Sequence, residues 1–349
     1  SLAAPLHPIG SPLILADTRL GEAMPRIDVA HLGLMLSALV LAYVLPFELL
    51  LIAYAVLGPA HYLTEISWLH DRNYFLSAKP IALLLAAAAV IAISVPDAWA
   101  SGLLNRLGFA ANVPFAWTSG LFIWIGFAVA ALAIGGINWI QRGVLLAVLV
   151  AVTVAMGSGN DFIAVAAVLL PTLIHVSVFT LVFMTLGAWR AGSWSQVALV
   201  LVYLAAIALI LVMPPGPQPR SMVLAELGRY YFGGVAPALG YVLHIPNFKF
   251  DSRSMGLLSF VYTYHYLNWF IKADVIGWRR IPPTRLAAIV ALSAAATGLY
   301  FYDYAMGFTV LLALSLIHVV LEFPLDTLSI RQLAGIAAQG FTRPARAAS

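Results

Sequence analysis

Residues 195–213 read SQVALVLVYLAAIALILVM, a run without a single charge. As a helix rising about 1.5 Å per residue it covers roughly 28 Å, close to the thickness of a bilayer's hydrocarbon core. Pro214, Pro215, Pro217 and Pro219 follow directly and end it, because proline lacks the N–H that helix continuation needs. Working outward, comparable stretches recur at 29–45, 48–69, 80–96, 117–135, 142–156, 162–187, 255–273, 285–301 and 305–323. The chain is 62% hydrophobic and 9% charged, whereas soluble domains carry about 25% charged residues. The expected fold is therefore all-α, a polytopic transmembrane helix bundle of about ten spans, eight to ten in all.

Pro46 separates the first two spans, so they form a tight hairpin or one kinked element. Residues 1–28 are expected to be an N-terminal cytoplasmic or interfacial segment, 29–323 the membrane domain, and 324–349 a cytoplasmic tail. Two stretches, 101–112 and 222–250, mix aromatics, glycines and isolated charges and read as interfacial. No secretory leader is expected ahead of the first span.

Counting basic residues orients the bundle. With the N-terminus on one side and ten spans alternating, that side holds 13 Lys and Arg residues and the other holds 5. Both termini are expected to be cytoplasmic, and a bacterial inner membrane is the expected location. Trp68, Trp117, Trp139, Trp194 and Trp278 lie near span ends, as in an aromatic belt. The net charge of +4 comes from dispersed residues and marks no nucleic-acid partner. Cysteine is absent, which removes disulfides, iron–sulfur clusters, thiolate metal sites and a cysteine nucleophile.

Polar groups inside spans are costly and usually functional. They are His61 with Glu65, His175, His265 with Asn268, and His318 with Glu322. The expected topology sends spans two, six, eight and ten in the same direction. The four histidines then lie roughly 15–20 Å from the outer face, at one level. Spacing of i, i+4 places Glu65 and Glu322 one turn beyond His61 and His318 on the same helix faces. Such a set reads as a metal site. Neutral imidazole is a good ligand for iron, copper, nickel and zinc, and carboxylates favour harder ions or orient the imidazoles. The expected ligands are His61, Glu65, His175, His265, His318 and Glu322, around one ion or two, with the four histidines as the catalytic set. A hydrogen-bonding role between helices is the alternative for any single one.

The aromatic stretch Tyr262 to Phe270 reads either as packing or as the wall of a flat apolar pocket, with Tyr264, Asn268 and Trp269 as cofactor- or substrate-contacting residues. Pro59 and Pro171 precede His61 and His175 and can open space by kinking their helices. His70, beside Asp71 and Arg72, reads as a loop residue, Asp303 as a turn residue, and His7, His31 and His244 as structural.

The favoured reading is a non-heme iron oxygenase that uses O2 on an apolar lipid or isoprenoid substrate, since both partition into a membrane. The zinc-protease pattern His-Glu-x-x-His is absent. The alternatives are a heme b protein with histidine axial ligands and a metal or solute transporter, which would call for a polar pathway and often internal repeats.

Gly58-Pro59-Ala60-His61-Tyr62-Leu63-Thr64-Glu65 resembles the Gly-Leu-Pro-His-Gly-x-x-Asp stretch of the membrane β-carotene dioxygenase family, and Leu316 to Glu322 resembles its late Pro-His-x-x-x-x-Glu segment. Tyr62 stands where that family has glycine, and its His-x-x-x-His pair is absent here. The resemblance implies one non-heme iron held by histidines from several spans, and oxidative cleavage of a carotenoid-like substrate.

Overall fold

Pro46 does what its chemistry requires. It occupies the first position of a helix, after Leu45 has left helical geometry at φ −138° and ψ 55°. The break divides α1 (Leu20–Val44) from α2 (Pro46–Ile52). The computed structural model describes residues 20–72, 84–87, 89–90, 97–108, 117–133, 138–156, 171–216, 252–272, 277 and 281–339. Beyond α2, a π-helical turn (Ala53–Leu57) leads into α3 (Gly58–Arg72). Then come α4 (Asp97–Arg106), α5 (Trp117–Ala133) and α6 (Trp139–Met156). A helical stretch Pro171–Ala191 contains a second π turn (His175–Phe179) and ends in α7 (Thr180–Ala191). The remaining helices are α8 (Trp194–Val212), α9 (Ser252–Phe270), α10 (Pro283–Tyr302) and α11 (Tyr304–Ala338).

The described residues are all-helical, without strands. Six stretches among them are long and apolar enough to cross a membrane: Arg26–Val44, Pro46–Asp71, Pro171–Ala191, Trp194–Val212, Pro283–Tyr302 and Met306–Ala338. The helix surfaces carry exposed Val148, Val154, Leu201, Val290 and Leu292, side chains that lipid accommodates and water does not. Trp139, Trp194 and Tyr302 are exposed at helix ends, where an aromatic belt would lie. The expected stretch 222–250 and the chain up to residue 19 lie outside the described residues, as does most of 80–96. The expected stretch 101–112 falls partly on α4.

The helix that carries His265 is the most enclosed. Of α9, 14 residues are buried, with α1, α2 and α8 packed around it. Enclosure explains its composition: a helix shielded from lipid by its neighbours can hold polar side chains such as Ser254, Ser259 and Asn268, and Ser259 Oγ donates to Gly256 O at 3.0 Å. Tyr54, Phe260, Tyr264 and Tyr266 belong to this core. A second core joins α5, α6 and α11 through Ile123, Phe127, Leu149, Leu316, Val319 and Val320. Helices α3 and α11 pack against each other, bringing the two cores side by side.

The last helix departs from expectation. The sequence reading ends the span at Phe323 and begins a tail at Pro324, yet α11 runs through Pro324 to Ala338. Proline is tolerated inside a helix packed among others, where hydroxyls occupy backbone carbonyls near the break. The carbonyl that Pro324 frees is that of Val320, and one turn on Thr327 Oγ1 donates to Phe323 O at 2.9 Å. At its start, Asp303 is the N-cap, accepting from the Met306 N–H at 2.9 Å. The turn into α11 is so tight that a Cβ on Gly307 would overlap the Tyr300 backbone.

Candidate metal centre

His61 reaches the interior from the first turns of α3, directly after the Ala53–Leu57 π turn. His175 opens the other π turn. A π turn inserts an extra residue into a helix and rotates the facing of the next turn, and such insertions recur at functional sites. His265 comes from the enclosed α9 and His318 from α11. All four rings are buried: His61, His175 and His318 are 1% exposed and His265 is 8% exposed.

The rings close a circuit. Centroids are 4.7 Å apart for His61 and His265, 4.8 Å for His265 and His175, 4.7 Å for His175 and His318, and 5.1 Å for His318 and His61. Neighbouring planes stand at 77–88°. Nε2 of His61 lies 3.0 Å from Nε2 of His265, and Nε2 of His318 lies 3.1 Å from Nε2 of His175. One nitrogen from each ring falls within 4.8 Å of the others.

The far side of two rings fixes their protons. Ser315 O, 2.9 Å from His318 Nδ1, can only accept, so Nδ1 carries the hydrogen and Nε2 presents a lone pair. Thr180 Oγ1 directs its hydrogen to Val176 O at 2.9 Å, as mid-helix threonines do. It therefore accepts from His265 Nδ1 at 2.8 Å, leaving His265 Nε2 bare as well. Two lone pairs are thus aimed at one point.

Carboxylates close the same space. Glu65 Oε2 is 3.1 Å from His61 Nε2 and 3.6 Å from His318 Nε2. Glu322 Oε2 is 3.4 Å from His175 Nε2 and 3.8 Å from His318 Nε2. Both are nearly fully buried, at 3% and 2% exposed. A third carboxylate, Asp326, is 1% exposed, with Oδ2 3.7 Å from His175 Nδ1. His61 Nδ1, His175 Nδ1, Glu65 Oε2, Glu322 Oε2 and Asp326 Oδ1 have no hydrogen-bond partner among the described residues. Buried polar atoms are ordinarily paired, and an isolated buried charge is very costly. A cation among these donors removes the conflict at once, so the set fits a metal ion in both chemistry and geometry.

An aromatic wall stands beside His61 and His318. Tyr62 stacks on His318 with centroids 4.7 Å apart, and its hydroxyl pairs with that of Tyr266 at 2.6 Å. Tyr62 lies back along α3 over Gly58, where a Cβ would come within 3.2 Å of its hydroxyl. Trp269 meets the His61 ring edge-on at 5.6 Å and donates from Nε1 to Thr64 Oγ1 at 3.0 Å.

The structure brings together His61, Glu65, His175, His265, His318 and Glu322. Of the three pocket residues expected on α9, Trp269 borders the site. Tyr264 packs instead against Tyr203 and Phe260, with centroids at 5.6 and 6.3 Å. Asn268 is buried on the same helix. His70 is exposed and outside the cluster, and His31 is buried on α1. The sequence reading missed Asp326, Thr180 and Tyr62, while Tyr266 lies in the aromatic stretch it read as packing or a pocket wall. Asp326 carried a signal, since it lies one turn beyond Glu322 on the His318 stripe.

The chain matches no protein-family model, no curated protein and no solved structure. Fold and site together define its class: a chain whose described residues are helical, with six helices long and apolar enough to cross a membrane and a buried histidine–carboxylate cluster that can hold a metal ion.

Proposed function

We propose that the protein is an integral membrane enzyme with a non-heme iron centre held by His61, Glu65, His175, His265, His318 and Glu322. It oxidises an apolar lipid or isoprenoid, carotenoid-like substrate with O2. In this reading the chain crosses a bacterial inner membrane about ten times, with both termini in the cytoplasm. The observation that carries it is the convergence of four imidazole nitrogens within 4.8 Å, in a place sealed from water. A donor set of imidazole and carboxylate without thiolate favours iron among the first-row metals with oxygen chemistry. Bound there, iron supplies one-electron and O2 chemistry.

The chain's own residues do the rest. Thr180 and the Ser315 carbonyl hold two imidazoles in the tautomer that presents Nε2. Tyr62, Tyr266 and Trp269 give the site an apolar, flat-sided flank suited to a conjugated or aliphatic chain. The helices exclude water, which protects a reactive centre from side reactions. The resemblance of the Gly58–Glu65 and Leu316–Glu322 segments to membrane β-carotene dioxygenases supports the same substrate class. The spacings of 3.0 and 3.1 Å leave no slot for a planar macrocycle between paired rings, which weighs against the heme alternative.

The test is direct. Protein purified in detergent should contain iron and show no Soret band. Incubated with O2, a reductant and an extract of its own membrane, it should add one or two oxygen atoms to an apolar lipid, detected by mass spectrometry. A Soret band, or iron-loaded protein that changes no apolar lipid, would overturn the reading.

A further inference from the structure

We propose that the centre holds two cations, the second bound by Glu322 and Asp326 with His175 shared between the two ions. This rests on the metal reading above and sharpens it. His318, Glu322 and Asp326 follow one another at i, i+4 and i+8, so one stripe of α11 carries donors over two helical turns. The four-histidine nitrogens gather at its upper end. Its lower end is a separate group, His175, Glu322 and Asp326, whose ligand atoms also lie within 4.8 Å of one another.

His175 faces both groups. Its Nε2 is 3.1 Å from His318 Nε2, and its Nδ1 is 3.7 Å from Asp326 Oδ2. A separation of 3.7 Å is too long for a hydrogen bond. It suits two donors each about 2.0–2.2 Å from a common ion. Nδ1 of His175, Oε2 of Glu322 and Oδ1 of Asp326 are all without hydrogen-bond partners among the described residues, and the three residues are 1–2% exposed. The Asp326 oxygen that faces His175 Nδ1 is Oδ2, and Glu322 Oε2 lies 3.4 Å from His175 Nε2; the ligand atoms of the three residues, within 4.8 Å of one another, make a site of their own.

Charge points the same way. Three carboxylates are buried here, and Lys272, half-buried beyond α9, has Glu65 and Glu322 as its acidic neighbours. Asp326 instead has the His175 ring beside it, 3.7 Å from Nδ1 to Oδ2. An imidazole and two carboxylates suit a divalent ion of the iron, manganese or zinc kind. Bound through both nitrogens, His175 would be an imidazolate, its N–H proton released to solvent as the second ion enters, and paired metals among inward-facing histidines and carboxylates are an established arrangement in helix bundles.

The experiment counts ions on full-length protein in detergent, stripped with chelator and reloaded anaerobically with Fe(II), with Mn(II) loading in parallel. Two ions per chain are expected, falling to one in Asp326→Asn and in Glu322→Gln. One ion per wild-type chain at saturation overturns the second site and leaves the four-histidine centre standing. No ion overturns both. Two ions in Asp326→Asn that match the wild type overturn the assignment of Asp326. The wild-type count decides even if a variant fails to fold.

Discussion

His318 and His175 lie 143 residues apart in the chain, yet their Nε2 atoms are 3.1 Å apart. His318 Nδ1 is committed to the Ser315 carbonyl, so the lone pair of its Nε2 points at His175. A proton fits on the line between two such nitrogens, whereas a cation about 2.0–2.1 Å from each sits beside that line, and the carboxylates of Glu65 and Glu322 near the same nitrogens favour the cation.

Thr180→Val should keep the fold and loosen the centre. Valine preserves the shape but removes the acceptor for His265 Nδ1. Loss of such an outer partner typically costs about 10–100-fold in metal affinity. Competition with a chelator of known affinity would measure it, and an unchanged affinity would show that Thr180 does not orient the ring.

Tyr62→Phe separates packing from polarity. The stacked contact with His318 survives, while the Tyr266 hydroxyl loses its partner. A buried hydroxyl left unpaired costs about 1–3 kcal/mol. We expect a lower thermal midpoint with metal content unchanged, measured by melting and elemental analysis of the same sample.

Gly307→Ala should destabilise the hairpin between α10 and α11. The added methyl meets the backbone of Tyr300, which cannot swing aside as a side chain would. Overpacking of this kind costs typically about 1–3 kcal/mol. By contrast, Asp71→Asn weakens the pairing with Arg285 at a site where the two side chains are 43% and 35% exposed. Such pairs contribute about 0–1 kcal/mol, so its thermal midpoint should stay near wild type. Equal losses in the two variants would contradict this ranking.

Much of this was legible in the chain. Hydropathy alone marks a helical membrane protein, because runs such as 195–213 have no other stable solvent. The site residues stood out because His61, His175, His265 and His318 interrupt apolar runs, where polar side chains are expensive. Asp326 was hidden by Pro324, whose usual effect is to stop a helix; packing around α11 overrides it. The pairing of His265 with Thr180 has no sequence signature, since it depends on which faces of α7 and α9 meet. The packing of Tyr264 away from the centre was illegible for a related reason. On a helix enclosed on all sides, period alone does not say which face looks at the centre.

The most direct test of the account is the iron content of purified protein and of His61→Ala, His175→Ala, His265→Ala and His318→Ala, each checked for a monodisperse folded species. The account predicts at least one iron per chain in the wild type and a clear loss in every variant. An iron-free wild type, or wild-type iron in three of the four variants, would contradict a convergent centre.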